Sequence, residues 1–500
     1  MLLSPKSGLS REGVRRVRPA GFVRAAAPRV FSLIVALCVS APVTANPYAH
    51  WFETVKRTAS ADELYRFLYA FPKGGDLHNH LGGSVRSEWW FDAAIAQADN
   101  GYRYFTKVRV NNCREYGTDE YDGETYYLMF RTVDEAAYAA LSECERGEYA
   151  PLAELEPAQR AGWLDSLRLD KAHEGRDEFF EAHWERIGSL FRNPYLIADI
   201  LVRTMAAYGA EGLMYLETQA GPSGFTTPAG EPIPPDDVAE IFRQRLAQPD
   251  AIASGVTVRL QITVLRFADN AEEQLTRAFE IISRNRDLYV GANFAGREDN
   301  DKGYPLSVRP KLRELRRTYH SIPLSIHAGE VDEPNAHVRD TLLLGADRIG
   351  HGVNLITDPD TLLLMRDGPF MVEINLISNL LLEYVDDYAE HPFPEYLRLG
   401  IPVSLSTDDR GMWDSNMTDE YFVAVNEFNL SWEELLEISR NGIRHSFLSD
   451  TEKLRLLSEL DARIATFSAE FEEKGWSALD DVAPVTYGFM CRYAELCTLE

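Results

Sequence analysis

Apolar residues along this chain come in short runs separated by longer stretches in which they recur at helical spacing. The runs fall at 212–217, 258–265, 288–294, 322–327, 348–351, 370–375 and 401–407, and an eighth ends at His80. A strand covered by helices on both faces reads as a near-continuous apolar run, so this alternation predicts parallel β-α-β units. Eight such units close into a (β/α)8 TIM barrel, an α/β fold. An open doubly wound sheet is the alternative, but no Gly-x-Gly-x-x-Gly follows any of the runs, which leaves a dinucleotide site without its fingerprint.

The flanks read differently. Residues 46–71 form a helical lead-in with Leu64, Phe67 and Leu68 on one stripe. From about 99 to 177 the chain is charged and tyrosine-rich and lacks a repeating strand signal, which marks an insertion after the first strand. One helical stretch at 178–207 leads into the next strand. Ser431 with Glu434 three residues on caps a final barrel helix over 432–444, and a further helix covers 451–474.

Composition narrows the class. The chain has 500 residues, 45% of them hydrophobic, and a net charge of −27, which repels polyanions and excludes a nucleic-acid surface. The first 45 residues hold Lys6 and six arginines against Glu12, then an apolar run at 31–39, then Val43-Thr44-Ala45 before Asn46. That order predicts a secretory signal at 1–45, cleaved after Ala45, and delivery to the periplasm or the medium. The run is too short to span a bilayer, so no membrane association remains after cleavage. Cleavage takes the charge from −27 to −27 − (7 − 1) = −33 and leaves Cys113, Cys144, Cys491 and Cys497. In an exported protein all four can pair, and proximity favours Cys113 with Cys144 and Cys491 with Cys497. The insertion is then a rigid cap on the 46–500 barrel domain and a candidate homodimer contact.

Candidate chemistry sits where a barrel keeps it, at the C-terminal ends of the strands. Those ends read His78 and His80, Glu217, Gly296, His327 with Glu330, His351, and Asp408 with Asp409. Residues two apart in an extended segment face the same side, so His78 and His80 can share one ligand. Together with His327 and Asp408 they supply three imidazoles and a carboxylate, a donor set for one zinc with a position left for water. Glu330 is close enough to act as a proton donor once burial raises its pKa, His351 can hydrogen-bond the attacking water and help deprotonate it, and Asp409 can accept a hydrogen bond from substrate. Glu217 reads as a supporting acid behind the site.

Four segments, Asp76-Leu-His-Asn-His80, His327-Ala-Gly-Glu330, Arg348-Ile-Gly-His-Gly352 and Ser404-Leu-Ser-Thr-Asp-Asp409, resemble in order the motifs of the adenosine deaminase family, within the amidohydrolase superfamily. The signal segment, the cysteine-bearing insertion and residues 441–448 resemble its secreted, growth-factor-related branch. The resemblance implies one zinc on His78, His80, His327 and Asp408, a proton donated by Glu330 to purine N1, and water oriented by His351. It also implies N7 paired with Asp409 and N3 met by the Gly296 amide. The implied reaction is zinc-dependent deamination of adenosine and 2′-deoxyadenosine to inosine-type products plus ammonia, with a small purine nucleoside as partner. The chain departs from the family pattern at Gly82, where an acid resembling a sugar contact often stands, at Asn375-Leu376 in place of Cys-Pro, and at Arg410 in place of proline.

Two other readings compete. A related amidohydrolase acting on adenine, another aminopurine, an amide or an ester would keep the same first motif, but a two-metal version needs a bridging lysine in 288–294, which has none. An extracellular binding protein on the same barrel would have lost ligands, and every one is kept.

Overall fold

The computed structural model describes residues 48–113, 127–299, 302–319 and 321–497. The segment read as a secretory signal lies outside the described residues.

Eight parallel strands form the expected barrel: β1 (Lys73–Asp76), then, past the insertion's three strands β2 to β4, β5 (Leu213–Gln219), β6 (Thr257–Leu265), β7 (Tyr289–Ala295), β8 (Leu324–Ala328), β9 (Arg348–His351), β10 (Met371–Ile374) and β11 (Val403–Leu405). They lie side by side in chain order. The seam between β11 and β1 is joined beyond the strands, where Asn79 bridges Asp408: the His80 amide donates to Asp408 O at 3.1 Å and the Asp408 amide to His78 O at 3.0 Å. The chain thus ties its first and last motif together by backbone at the barrel mouth. β1 itself ends at Asp76, so His78 and His80 project to one side from the bridge rather than from a strand interior.

The glycines of Lys73-Gly74-Gly75 have a packing reason. Helix Trp432–Arg444 lies so close that a Cβ on Gly74 would fall 1.8 Å from Ser439 O, and one on Gly75 2.5 Å from Gly442 O. The helix begins with the expected capping box, Glu434 N donating to Ser431 Oγ at 3.2 Å and Ser431 N to Glu434 Oε2 at 2.7 Å. Helices Ala49–Thr58 and Ala61–Ala70 replace the single lead-in, and Asp450–Lys474 follows outside.

Two expectations need correction. The insertion contains a three-stranded antiparallel sheet of β2 (Tyr104–Lys107), β3 (Thr132–Asp134) and β4 (Tyr149–Pro151), in the order β3-β2-β4. Strands of three or four residues with partners far apart in sequence leave no periodic signal. The stretch read as one helix at 178–207 is broken: a π turn over Phe179–His183, a short helix Trp184–Ile187, a 3-10 turn Gly188–Arg192, then helix Pro194–Ala210. Asn193 caps the last of these and Pro194 opens it, as proline does at a first helical turn.

Cys113 pairs with Cys144, and Cys491 with Cys497. The first bridge spans 31 residues, which in the chain-entropy model stabilises by about 3 to 4 kcal/mol. Peptide mapping without reductant is expected to recover both linked pairs, and Cys113→Ser with Cys144→Ser to melt at lower temperature; two free thiols in the insertion would refute the pairing. Among the described residues no helix is long and apolar enough to cross a membrane.

Candidate active site

The strand-end residues converge at the barrel mouth. His80 Nε2 lies 3.2 Å from His327 Nε2 and 3.2 Å from Asp408 Oδ1, and His78 Nε2 lies 3.3 Å from the same oxygen. Around a metal with bonds of about 2.0–2.1 Å, neighbouring donors of a tetrahedral shell are separated by about 3.3–3.4 Å. His78 Nε2 and Asp408 Oδ1 are buried without a hydrogen-bond partner. Donor chemistry, spacing and unpaired atoms all fit a divalent cation such as zinc. The ligating atoms of His78, His327, His351 and Asp408 fall within 4.8 Å of one another, as do those of His80, Asp408 and Asp409. His351 stands beside the set rather than in it: Asn379 Nδ2 donates to its Nδ1 at 2.9 Å, which leaves the ring proton on Nε2, whereas Nδ1 of His78 and of His327 faces an oxygen acceptor.

Three of the four donors are held from behind by partners that fix their orientation. His78 Nδ1 meets Glu373 Oε2 at 2.7 Å, and Glu373 is held in turn by Ser325 Oγ at 2.9 Å and by Arg348. Arg348 reaches on to Glu217 Oε2 at 2.6 Å, so Glu217 is the expected supporting acid, two partners removed from His78. His327 Nδ1 meets Asn293 Oδ1 at 2.9 Å, and Ser378 Oγ donates to Asp408 Oδ2 at 2.7 Å. Sequence reasoning missed Glu373, Asn293 and Ser378. The signal for Glu373 was a charge inside an apolar run, matched by Arg348 in the neighbouring one.

Electrostatics separates the roles. Burial, reinforced by the charge of Asp408, pushes the Glu330 carboxyl well above its usual range and so keeps a proton on it. Tyr384 Oη lies 3.5 Å from Glu330 Oε1, while Glu298 accepts the backbone amides of Gly329 and Glu330 at 3.1 and 3.0 Å and fixes that turn. Burial lowers His351 to about 3, which leaves it neutral. Asp408 and Asp409 split: despite burial, His78 and His80 hold Asp408 well below its usual value, whereas burial and the charge of Asp408 push Asp409 well above. Asp409 Oδ1 has no partner. His351 and Asp408 both have left-handed backbone, φ 64° and 54°, conformations that side-chain-bearing residues adopt at a cost and that concentrate at functional sites.

These groups open on a cavity of about 440 Å³. His80, His327, Glu330, Asp408 and Asp409 lie at its floor, Gly296 on its side, and Phe179, Phe180, Trp184 and Phe191 on the wall supplied by the broken helical stretch. Gly82 faces that wall. A Cβ there would fall 2.1 Å from the Phe191 ring, so the aromatic side chain occupies the space an acid would need. Glu185, on the same stretch, brings a carboxylate to the lining instead. Gly83 is equally constrained, its missing Cβ replaced by the Asp409 carboxyl at 1.6 Å. Arg410 is buried away from the cavity, paired with Glu211 at 2.9 Å and lying over the Tyr208 ring. Asn375 packs on His351, its Nδ2 3.3 Å from Nδ1.

A parallel eight-stranded barrel with a histidine and carboxylate cluster at the C-terminal strand ends defines a hydrolase of the amidohydrolase type. Residues 160–463 match the adenosine deaminase family model, more than half of the chain, and the chain belongs to that family as an adenosine deaminase-like hydrolase. It is 27% identical to the adenosine deaminase of Clostridium acetobutylicum over 296 residues, 59% of this chain and 85% of that one. In structure it resembles a cog1816 amidohydrolase from Burkhoderia ambifaria with bound Zn, at TM-score 0.58 and 19% identity, covering 82% of this chain and 96% of that one. It also resembles the N6-methyl-AMP deaminase of Arabidopsis thaliana, at TM-score 0.57 and 20% identity, covering 80% and 98%. These two likenesses concern the fold.

Proposed function

We propose that this chain is an exported, zinc-dependent deaminase of neutral 6-aminopurine nucleosides, converting adenosine and 2′-deoxyadenosine to inosine-type products and ammonia. The observation that carries the reading is the cluster at and just behind the cavity floor: four metal-donor atoms, a buried carboxyl and a buried imidazole in one small volume. When bound by His78, His80, His327 and Asp408, zinc supplies the Lewis acidity that makes water a nucleophile at neutral pH. Glu330 donates its proton to N1, which draws electrons from C6 and prepares it for attack. The Gly296 amide meets N3. Gly296 has φ 107°, and a Cβ there would fall 2.5 Å from the Phe267 ring. Asp409 pairs with N7, and the direction of that bond is corrected: N7 of a neutral purine only accepts, so the protonated Asp409 donates rather than accepts.

Substrate charge is argued from the lining. Among the described residues no lysine or arginine lines the cavity. The cations around the aromatic wall are engaged, Arg176 with Asp299 and Asp332 at 3.1 Å each, Arg297 with Asp177 and Asp299 at 2.5 Å, Arg186 with Glu178 at 2.8 Å and Arg192 with Asp134 at 3.6 Å. A phosphate would enter without a counterion and against a mature charge of −33, derived above from the sequence. The aromatic wall offers stacking to the base, and Glu185 offers an acceptor to sugar hydroxyls. The basic, then apolar, N-terminal segment and the paired cysteines support export to the periplasm or medium.

The test is kcat/KM on adenosine, 2′-deoxyadenosine, adenine, AMP, N6-methyl-AMP and cytidine at matched ionic strength. The two nucleosides are expected to lead and both nucleotides to trail. A preference for a nucleotide contradicts the charge argument, and a preference for adenine shows that the wall facing Gly82 admits no sugar.

A further inference from the structure

The residues alone suggest that His351 helps take a proton from the attacking water, the family resemblance that it orients that water, and the hydrogen bonds behind it favour the second. The chain of bonds starts at a group whose direction is fixed. The backbone amide of Phe393 points at Nδ1 of His391 at 3.1 Å, and an amide N–H only donates, so Nδ1 accepts and the neutral ring carries its proton on Nε2. His391 Nε2 lies 3.0 Å from Asn379 Oδ1. Donor meets acceptor there, which sets the Asn379 amide; turned over, its NH₂ would face the His391 N–H. In this orientation Asn379 Nδ2 lies 2.9 Å from His351 Nδ1, with Asn375 Nδ2 at 3.3 Å from the same atom. Asn375 Nδ2 is also 3.5 Å from Nε2 and so selects neither ring nitrogen, but the Asn379 NH₂ facing Nδ1 requires a lone pair on it. The proton of His351 is therefore on Nε2, the nitrogen on the side of Glu330, whose Oε1 lies 3.8 Å away.

His351, Asn375 and Asn379 are fully buried and His391 is 1% exposed, so water does not compete for these bonds. A proton arriving on His351 would have to sit on Nδ1, against the Asn379 NH₂, and relieving that clash would break the bonds at Asn379 and His391 in turn. We propose that Phe393, His391 and Asn379 form a one-directional hydrogen-bond chain that holds His351 as an Nε2–H donor, so that His351 orients the attacking water, whose proton passes to the Glu330 carboxylate left when N1 is protonated and from there to the departing ammonia. Asn379 and His391 are positioning residues, acting through His351 and touching no substrate. The role rests on the deaminase reading, whereas the position of the proton does not.

The test separates the two. Zinc-loaded protein labelled with ¹⁵N-histidine is examined by long-range ¹H–¹⁵N NMR, the His351 signals being assigned by their loss in His351→Gln. The expected spectrum shows Nδ1 of His351 unprotonated and Nε2 protonated. In Asn379→Asp a carboxylate faces Nδ1 while still accepting from His391, and Nδ1 is expected to become protonated. His391→Leu is expected to keep zinc and KM while kcat falls on the order of tenfold or more, the kind of loss that a wrong tautomer causes in other enzymes. His391→Gln restores an N–H donor to Asn379 and is expected to recover kcat to within a few-fold. A protonated Nδ1 in the unmodified protein overturns the proposal whatever the variants do. An undiminished kcat in a folded His391→Leu protein overturns the positioning role. Failure of the unmodified protein to deaminate any aminopurine, with the expected tautomer present, counts against the deaminase reading alone.

Discussion

His327→Ala is expected to lose the bound metal and the activity together. His327 is 2% exposed at the end of β8, with Nε2 3.2 Å from that of His80 and Nδ1 held by Asn293. Removing its ring takes away one of the four donors and leaves a small cavity, whose cost falls on stability but leaves the barrel's other strand contacts in place. The loss of activity should exceed the roughly 10- to 100-fold that removal of a partner behind a ligand costs. Asn293→Ala provides that comparison, since it frees His327 Nδ1 without touching a donor atom. Zinc is counted by elemental analysis on protein shown by circular dichroism to be folded. Full zinc content in folded His327→Ala would refute the ligand set.

Glu330→Gln is the second large effect, and it separates chemistry from assembly. The amide keeps the size of the acid and can still occupy the turn held by Glu298, but it has no acidic proton to give to N1. Zinc content and melting temperature should match the parent, and kcat should fall by about 10²-fold or more, the scale of a lost general acid. KM should move little, because the contacts proposed at N3 and N7 are kept. Activity within a few-fold of the parent would assign Glu330 another role.

The sign of the pH dependence follows from the same group. A carboxyl raised by burial and by Asp408 is active while protonated, so kcat/KM should fall as pH rises through its pKa and not as pH falls through it. Glu330→Gln should remove that alkaline limb.

The barrel was legible because its strands are buried on both faces and therefore read as apolar runs, and because its chemistry gathers at one end of each run. β9, expected at 348–351, is Arg348–His351, and the Ser431 and Glu434 capping box is formed as read. His78 and His80 face one side as the alternation of an extended segment requires, although the strand stops two residues earlier and the bridge to Asp408 does the holding. The insertion's sheet was not legible, since Tyr104–Lys107 finds its partners at Thr132–Asp134 and Tyr149–Pro151 only through tertiary contact. The break of the 178–207 stretch could have been suspected at Gly188 and Pro194, and with it the aromatic wall. Gly82 was read as the loss of a side chain, and the structure gives the reason: the Phe191 ring stands in its place. Hydrogen-bond direction around His351 depends on Asn379 and His391, which lie outside every strand-end motif, so no spacing argument reaches it.

The most direct test of the account is the fate of adenosine with zinc-loaded protein in ¹⁸O-labelled water, following ammonia and purine product together. Hydrolytic deamination predicts one ammonia per adenosine consumed and an inosine carrying one ¹⁸O at C6, with the bond between base and sugar intact. Consumption without ammonia, release of free adenine and ribose, or no turnover of any aminopurine by protein carrying its full complement of zinc would contradict it.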